Sequence, residues 1–386
     1  MQAFALGDFL TQWAGQARYD LSASDSETLT LRNLLAMAMP VDVQRWHALP
    51  LGYGDPRGAV WLRQAISETY ADANEDTVLC FAGAQDAMTC VAQALLSARD
   101  HAIVVVPCYP PSEATVTLAA PCTGVALDAE YGWSLDLDRI AAAIQPTTRM
   151  VVTNFPNNPT GAMIARHDFK ALIALCRRHG LWLVNDEVYQ LIDRDPAARL
   201  PQVAEVYERG VSINSLSKSF GLPGLRVGWV ACRDKAALER MAMVRNVLSG
   251  GLAVSSEVLA HIALRAREQI LTRNHAIAEA NLRLLRPFMA RYADWFGWDE
   301  PSGGVTAFPR YRGAGSAMDF AARLVQEAGV LVLPGCVWHS ALASVPDDRI
   351  RVGFGKQGVG AALAAWDAFL AGRENLAPRQ HYAISS

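Results

Sequence analysis

Residues 180–189 read Gly-Leu-Trp-Leu-Val-Asn-Asp-Glu-Val-Tyr, an apolar run that ends in polar and acidic side chains. The segment before it, Phe169–Arg178, has apolar residues at helical spacing, and Gly180 can end that helix. This order predicts a helix that is followed at once by a buried strand. Apolar runs of the same kind recur through the middle of the chain, at Val78–Phe81, Ala102–Val106, Thr123–Leu127, Met150–Thr153, Leu181–Val184, Val211–Asn214 and Val227–Ala231.

Helical segments such as Ala84–Leu96 lie between most of these runs. Strands that alternate with helices predict an α/β fold with a largely parallel sheet, buried on both faces. Ligands of such sheets bind at the loops that follow the carboxyl ends of the strands. Polar residues at those ends are therefore the candidates for a functional site.

The length of 386 residues indicates about two domains. Residues 51–285 are predicted to form a large, ligand-binding domain. Residues 286–386 are predicted to form a smaller α+β domain, with strands at Thr306–Phe308, Val330–Leu333 and Arg349–Phe354. Residues 1–50 are predicted to join the small domain or to cover the site, and the first regular helix is expected at Gly58–Tyr70.

Composition and charge exclude several classes of protein. A net charge of −3 provides no basic field for nucleic acid or an anionic membrane, and no apolar run approaches the roughly 20 residues of a spanning helix. The N-terminus lacks the basic start and the cleavage site of a signal peptide. The 7 cysteines are scattered without CxxC spacing, which indicates neither a disulfide framework nor a metal site. We therefore expect a cytoplasmic protein.

Lys218 is the most chemically informative of these residues. It follows the sixth apolar run. Ser215 and Ser217 come just before it, and Arg226 comes eight residues after it. Its amine can form an imine with an aldehyde cofactor, while the hydroxyl groups and the guanidinium hold the phosphate of that cofactor. The alternative is a surface lysine in a polar loop.

Two other strand ends offer groups that a pyridine ring would need. Asp186 ends the fifth run, and a carboxylate there is costly to bury unless it has a charged partner such as a protonated ring nitrogen. Tyr189 can donate a hydrogen bond to a phenolate oxygen of the ring. Tyr109 can stack on its face. The alternatives are a helix N-cap for Asp186 and a half-buried loop aromatic for Tyr109.

The first and fourth runs end in turns. Gly83, Ala84 and Gln85 open a helix after the first run, where free N–H groups and the helix dipole favour a phosphate, although a simple tight turn has the same appearance. The fourth run ends in a rigid turn, residues 154–161, with two prolines and a glycine. That turn can present the amide of Asn158 to the cofactor and to a substrate carboxylate.

Arg351 lies on a predicted strand of the small domain and is a candidate for binding a substrate α-carboxylate through two hydrogen bonds. We prefer it to Arg349, because only one of two arginines on the same face need reach the cleft. A solvated edge arginine is the alternative. Together, these residues predict a binding site for pyridoxal 5′-phosphate.

With these residues in place, the chain resembles the class I/II aminotransferase family of fold-type I pyridoxal-phosphate enzymes over nearly its whole length. The most specific motifs are Asn157-Asn158-Pro159-Thr160-Gly161, Asp186-Glu187-Val188-Tyr189 and the serine-x-serine-lysine sequence with Arg226. The resemblance implies a seven-stranded, mostly parallel sheet in the large domain, a small domain built from both termini, and a homodimer with shared active sites. It also implies that Tyr53 reaches the phosphate bound by the partner subunit.

Two segments depart from the family pattern. The family's glycine-and-proline turn near the N-terminus is replaced by the polar, acidic stretch Asp20–Glu27, and Leu333-Pro334-Gly335 is followed by Cys336-Val337-Trp338-His339. Both segments are predicted to line the substrate pocket, with Ser24 as a substrate-binding residue. Gly303–Arg310 and Gly329–Trp338 are similar to capreomycidine synthase, a family member that cyclises a hydroxylated arginine.

The predicted function is transfer of an amino group from an α-amino acid to a keto acid through a Lys218 imine, as part of amino-acid metabolism or biosynthesis. The alternative is a lyase or cyclase that acts by elimination and readdition on an arginine-like substrate, whose cation Asp25 and Glu27 could suit. A catalytically silent sensor or a transcription regulator with this fold is a third possibility. The intact Lys218 and the absence of a basic segment argue against it.

Overall fold

The computed structural model describes residues 5–371 and Arg373. Its helices are α1 Ala5–Trp13, α2 Leu31–Leu35, α3 Pro40–His47, α4 Val60–Ser67, α5 Ala84–Leu95, α6 Pro110–Ala119, α7 Leu137–Ala143, α8 Arg166–His179, α9 Val203–Val206, α10 Lys235–Leu248, α11 Val254–Arg265, α12 Arg267–Arg291, α13 Ala317–Ala328 and α14 Val359–Ala371. Its strands are β1 Tyr19–Asp20, β2 Val78–Phe81, β3 His101–Val106, β4 Cys122–Ala126, β5 Thr148–Asn154, β6 Trp182–Asp186, β7 Gly210–Ser215, β8 Gly228–Cys232, β9 Phe296–Gly297, β10 Thr306–Ala307, β11 Arg310–Tyr311, β12 Val330–Leu331, β13 Leu333–Pro334 and β14 Ile350–Gly353. None of these helices is both long and apolar enough to cross a membrane.

The main sheet has seven strands in the order β2-β8-β7-β6-β5-β3-β4. The strands from β4 to β7 run parallel, whereas β8 runs antiparallel to its two neighbours, β2 and β7. The predicted α/β fold with a mostly parallel sheet is confirmed. Each predicted strand lies within two residues of the observed one.

Helices cover both faces of this sheet. Its strands are therefore apolar on both faces and appear in the sequence as continuous apolar runs. All six residues of β3 are buried. Ile103 and Val105 pack into one hydrophobic cluster together with α8, while Val104 and Val106 pack into another with α5 and α10. Since neither face meets water, the alternation of polar and apolar residues seen in half-exposed strands is absent.

The expectation that regular structure begins with a helix at Gly58–Tyr70 was wrong. Three helices, α1 to α3, come before it, and that helix itself is shorter, at Val60–Ser67. Leu6, Phe9 and Trp13 of α1 are buried at helical spacing against the core. Helices this short owe their stability to packing rather than to intrinsic propensity, so their local sequence is a weak signal.

The N-terminal segment joins elements from the far end of the chain. Strand β1 pairs in parallel with β12, and a separate three-stranded sheet has the order β10-β14-β13. The backbone N–H of Gly353 donates to the carbonyl oxygen of Leu21 at 2.7 Å. A Cβ on Gly353 would lie 1.8 Å from the carbonyl oxygen of Ala23, so only glycine permits this approach.

The predicted division into segments 1–50, 51–285 and 286–386 stays a prediction, and its residues 1–4, 372 and 374–386 lie outside the described residues.

Candidate active site

The carboxyl ends of the parallel strands enclose a cavity of about 160 Å³. Because these ends meet at one edge of the sheet, residues far apart in sequence share its wall. Most of the predicted cofactor residues line it: Ala84, Gln85, Tyr109, Asn158, Asp186, Tyr189, Ser215, Ser217, Lys218 and Arg226. Gly83 is adjacent, but Tyr53 lines a different cleft.

Asp186 ends β6 with its carboxylate buried in this cavity. Burial raises the pKa of Asp186 to about 6, although a hydrogen bond from the Val188 N–H (3.2 Å) and the positive charge of Lys218 oppose the shift. Among the described residues, no basic side chain forms an ion pair with it. The arrangement therefore suits a ligand that brings its own positive charge.

Lys218 lies in the turn after β7, and its Nζ donates to the Ser24 hydroxyl oxygen at 2.8 Å. Burial lowers the pKa of Lys218 to about 8, while the charge of Asp25 and, more weakly, that of Asp186 act in the opposite direction. A substantial fraction of this amine is neutral near pH 8. It is thus able to act as a nucleophile and as a base.

Tyr189 and Tyr109 lie on the same cavity. The Tyr189 hydroxyl donates to the backbone carbonyl oxygen of Ser24 at 2.9 Å, and burial raises the pKa of Tyr189, which keeps it a donor. Tyr109 is half-buried at the start of α6, where its ring forms part of the cavity wall.

One group of residues in the cavity wall has the features of an anion site. Gly83 has φ +99°, and a Cβ there would lie 2.5 Å from Nη2 of Arg226, so the turn and the guanidinium require glycine. Arg226 itself has φ +52°, a strained conformation that concentrates at functional sites. The start of α5 and the hydroxyl groups of Ser215 and Ser217 complete a donor set suited to phosphate.

Gln85 was predicted to bind the cofactor, but its side chain makes other contacts. Its side-chain nitrogen donates to the Thr115 hydroxyl oxygen at 2.7 Å and to the carbonyl oxygen of Pro111 at 3.1 Å. The amide nitrogen therefore ties α5 to α6 and is not left over for a ligand, although the residue lines the cavity and its backbone lies at the start of the helix.

Two of the predicted substrate residues, Arg351 and Asn158, are hydrogen-bonded to each other, whereas Ser24 contacts Lys218 and Tyr189. Nη1 of Arg351 donates to Oδ1 of Asn158 at 2.9 Å, and Nη2 donates to the carbonyl oxygen of Ser22. The guanidinium carbon lies 4.8 Å from the ring centre of Trp338. Burial lowers the pKa of Arg351 to about 10, which leaves it cationic near neutral pH. Arg349 instead lies over the ring of Trp133 (5.0 Å).

The contacts that two residues make in the site were not predicted from the sequence. Asn154 donates through its side chain to the carbonyl oxygen of Asp186 (2.9 Å) and accepts from the Asn158 N–H (2.9 Å), so it joins two strand ends. Its position at the end of β5 could have identified Asn154 as a residue of the site. Trp338 was expected only to line the substrate pocket, and its packing against Arg351 depends on tertiary contacts.

The donor set can be tested against pyridoxal phosphate. The amine of Lys218 matches an aldehyde, the unpaired carboxylate of Asp186 matches a ring nitrogen, and the glycine-dependent anion site beside Arg226 matches a phosphate. These three chemistries lie along one cavity, so the residues present fit the group.

Comparisons with known proteins agree with this geometry. Residues 48–359 match the family described as "Aminotransferase class I and II". The chain is 37% identical over 316 residues to arginine–pyruvate transaminase AruH of Pseudomonas aeruginosa, which covers 78% of this chain and 77% of the relative. It is 30% identical over 356 residues to capreomycidine synthase of Streptomyces vinaceus, covering 92% and 90%.

Solved structures show the same architecture. A PLP-dependent aminotransferase from Streptococcus suis superposes with a TM-score of 0.89 at 28% identity, over 96% of this chain and 98% of the other. The PLP-dependent cyclase OrfR superposes with a TM-score of 0.86 at 26% identity, over 97% and 98%.

The fold and the site together define a fold-type I, pyridoxal-phosphate-dependent enzyme. The chain belongs to the class I and II aminotransferase family, and its cofactor is pyridoxal 5′-phosphate. The resemblance found in the sequence is confirmed.

The prediction that Lys218 binds the cofactor aldehyde can be tested through the pKa of its amine. Only the neutral amine attacks an aldehyde, so the capture rate should rise about tenfold per pH unit well below the pKa of about 8 and level off above it. Stopped-flow absorbance after mixing apoprotein with pyridoxal phosphate, between about pH 6.5 and 10, measures this rate. A simple alkylamine is the control. A rate that keeps rising to pH 10, as for the alkylamine, would contradict the prediction.

Proposed function

We propose that this enzyme is an aminotransferase that moves the amino group of an α-amino acid to a keto acid, with Lys218 as the residue that binds the cofactor aldehyde. The observation that carries the proposal is that Lys218, Asp186 and Asn158 line one cavity, and that Arg351 donates to Asn158. When bound, pyridoxal phosphate supplies an electron sink for the charge left at the α-carbon after proton removal.

Arg351 and Asn158 hold the substrate carboxylate. The guanidinium already holds Oδ1 of Asn158, which leaves the amide nitrogen of Asn158 able to donate into the cavity. Packing against Trp338 fixes the guanidinium plane, and a carboxylate bound through two hydrogen bonds has one orientation. A fixed carboxylate aims the α C–H bond at the base.

Lys218 is the base in this proposal. Its Nζ, with a pKa lowered by burial to about 8, accepts the α-proton near neutral pH and can release it on the same side of the cavity. Asp186 pairs with a positive ring nitrogen. The Tyr189 hydroxyl, which donates to the Ser24 carbonyl oxygen in this structure, would exchange that bond for one to the ring oxygen. Arg226 and the start of α5 bind the phosphate.

We propose an amino acid with a long, cationic side chain as the substrate. Next to the cofactor cavity, a cleft of about 590 Å³ has Glu113, Trp338 and His339 in its wall and shares Gln85 with that cavity. Relatives at 37% and 30% identity are named arginine–pyruvate transaminase and capreomycidine synthase. Asp25 and Glu27 support this choice less than expected, because Asp25 pairs with Lys356 (3.2 Å) and Glu27 accepts from the Gln357 N–H (2.7 Å).

A lyase or cyclase acting on an arginine-like amino acid is the second candidate. The likeness to capreomycidine synthase over 92% of this chain, and to the cyclase OrfR, favours it. The cofactor residues serve both reactions, since both begin with removal of the α-proton.

We also propose a homodimer in which Tyr53 reaches the phosphate site of the partner subunit. Tyr53 is fully exposed and lines an open cleft with residues 249–255 and with the exposed Leu51. Large apolar side chains grouped on a surface are typical of protein interfaces.

The cytoplasm is the proposed location and amino-acid metabolism the proposed role. All 7 cysteines are free, and most are buried as small apolar side chains.

The reaction type is tested with the purified holoenzyme and single amino acids, including arginine and hydroxyarginine, in the absence of keto acid. Transamination should release one keto acid per active site and then turn over only after pyruvate is added. Lys218→Ala should lack the visible absorbance and the activity. Continuous release of ammonia or of a cyclic product without keto acid would favour the second candidate.

Arg351→Lys should raise KM for the amino acid by about ten- to a hundredfold, because lysine cannot form both hydrogen bonds to a carboxylate. Arg349→Lys is the matched control, also buried and two residues away, and should change KM by less than about twofold. Steady-state kinetics measure KM for the amino acid in both variants, and cofactor absorbance checks that they are folded. An increase confined to Arg349→Lys would reverse the assignment.

Subunit mixing tests the shared site. Lys218→Ala and Tyr53→Ala proteins should each have little activity. Their mixed dimer contains one site with an intact Lys218 and an intact Tyr53 of the partner subunit, so co-refolding should restore activity. Mixing Lys218→Ala with Asp186→Asn is the control, because both changes affect residues of the subunit's own site. No recovery in the first mixture, or equal recovery in both, would contradict the proposal.

A further inference from the structure

The segment Asp20–Glu27, hereafter the covering segment, contacts Lys218 and Tyr189, two residues of the cavity wall. Its backbone is held from two sides. On one side, Gly353 N–H donates to the carbonyl oxygen of Leu21 (2.7 Å), and Glu27 N–H donates to that of Gly355 (2.8 Å). On the other, Ser26 N–H donates to the carbonyl oxygen of Lys218 at 3.1 Å. The path of the segment is therefore fixed by main-chain hydrogen bonds.

Ser24 lies in the middle of this segment and contacts two of the reactive groups. Its hydroxyl oxygen accepts from Nζ of Lys218 at 2.8 Å, and its carbonyl oxygen accepts from the Tyr189 hydroxyl at 2.9 Å. Ser24 is 9% exposed. The Ser24 hydroxyl therefore faces the Lys218 amine, and it also lies within hydrogen-bonding reach of the Tyr189 hydroxyl.

We infer that Ser24 is a positioning residue whose hydroxyl holds the amine of Lys218 in the orientation needed for proton transfer at the α-carbon. The inference rests on the proposed role of Lys218 as the base. It also gives a residue predicted to bind substrate a different task.

Physical reasons favour such a role. The lysine amine is carried on a flexible four-carbon stem, and an unguided base spends time in unproductive rotamers. A hydroxyl on a rigid backbone selects one of them. Catalysis is sensitive to such selection, since small displacements of a reacting group reduce rates severely.

The charges around Lys218 do not perform this task. The groups that face it are Asp25, Arg351, Asp186 and Lys356. Asp25 is already paired with Lys356 at 3.2 Å, and the Arg351 guanidinium is held by Asn158 and Ser22. These charges influence the protonation of Lys218, whereas the Ser24 hydroxyl supplies a direct contact that sets its direction.

The test compares Ser24→Ala, Ser24→Thr and Ser26→Ala holoenzymes. Ser26 is a matched control, since it lies two residues away in the covering segment, is 0% exposed and has a hydroxyl without a hydrogen-bond partner in the described part of the chain. Rapid mixing with α-protiated and α-deuterated amino acid measures the rate and isotope effect of the first half-reaction. Its concentration dependence gives substrate affinity.

Ser24→Ala should slow this step by about ten- to a hundredfold and increase the isotope effect, with substrate affinity changed by less than about twofold. Ser24→Thr keeps a hydroxyl and should recover most of the rate. Ser26→Ala should match the wild type. A readout independent of turnover is cofactor capture by the apoproteins, which should be slower only for Ser24→Ala.

Unchanged rates in Ser24→Ala would overturn the inference, as would an equal loss in Ser24→Thr. A loss of substrate affinity alone would also overturn it and return Ser24 to substrate binding. Failure of the proposed function is separately visible, because Lys218→Ala would then retain the visible absorbance or the wild type would show no isotope effect.

Discussion

The burial of Asp186 and the partial burial of Lys218 beside one cavity are the constraint on which the rest of the site depends. Burial raises the pKa of Asp186 to about 6 and lowers that of Lys218 to about 8, so each group is brought closer to its uncharged form. A ligand with a cationic ring nitrogen gives the carboxylate its missing partner, while a ligand aldehyde reacts with the neutral amine. One physical cause therefore prepares both residues for the same molecule, and the strand order that buries them is part of the chemistry.

The substrate side of the site has a different origin, because it is built from segments that are distant in sequence. Arg351 comes from β14, Asn158 from the turn after β5, and the covering segment from the N-terminus. Gly353 allows the covering segment to approach β14 closely, and Ser26 attaches the same segment to Lys218. If Arg351 and Lys218 have the roles proposed above, a movement of this segment would alter the carboxylate anchor and the base together.

This difference in origin explains what the sequence could predict. Strands buried on both faces are continuous apolar runs, and their ends carry the polar residues of the candidate cofactor site. The strands and these residues could therefore be predicted from short stretches of sequence. The helices α1 to α3 could not be predicted in this way, because short helices depend on packing for their stability. The contacts of Lys218 with Ser24 and of Arg351 with Asn158 join residues 194 and 193 positions apart. The role of Asn154 and the packing of Trp338 on Arg351 likewise depend on tertiary geometry.

The residues that bind the cofactor do not by themselves decide the reaction. Removal of the α-proton begins both transamination and β-elimination, and the outcome depends on whether a group can leave from the β-carbon before a proton is returned. We propose that the side chain of the substrate extends toward the cleft that contains Trp338 and Glu113. Trp338 belongs to one of the two segments that depart from the family pattern, and the covering segment, which contacts Lys218, is the other. In this proposal, selection between the reactions depends on how these two segments hold the side chain and the Lys218 amine.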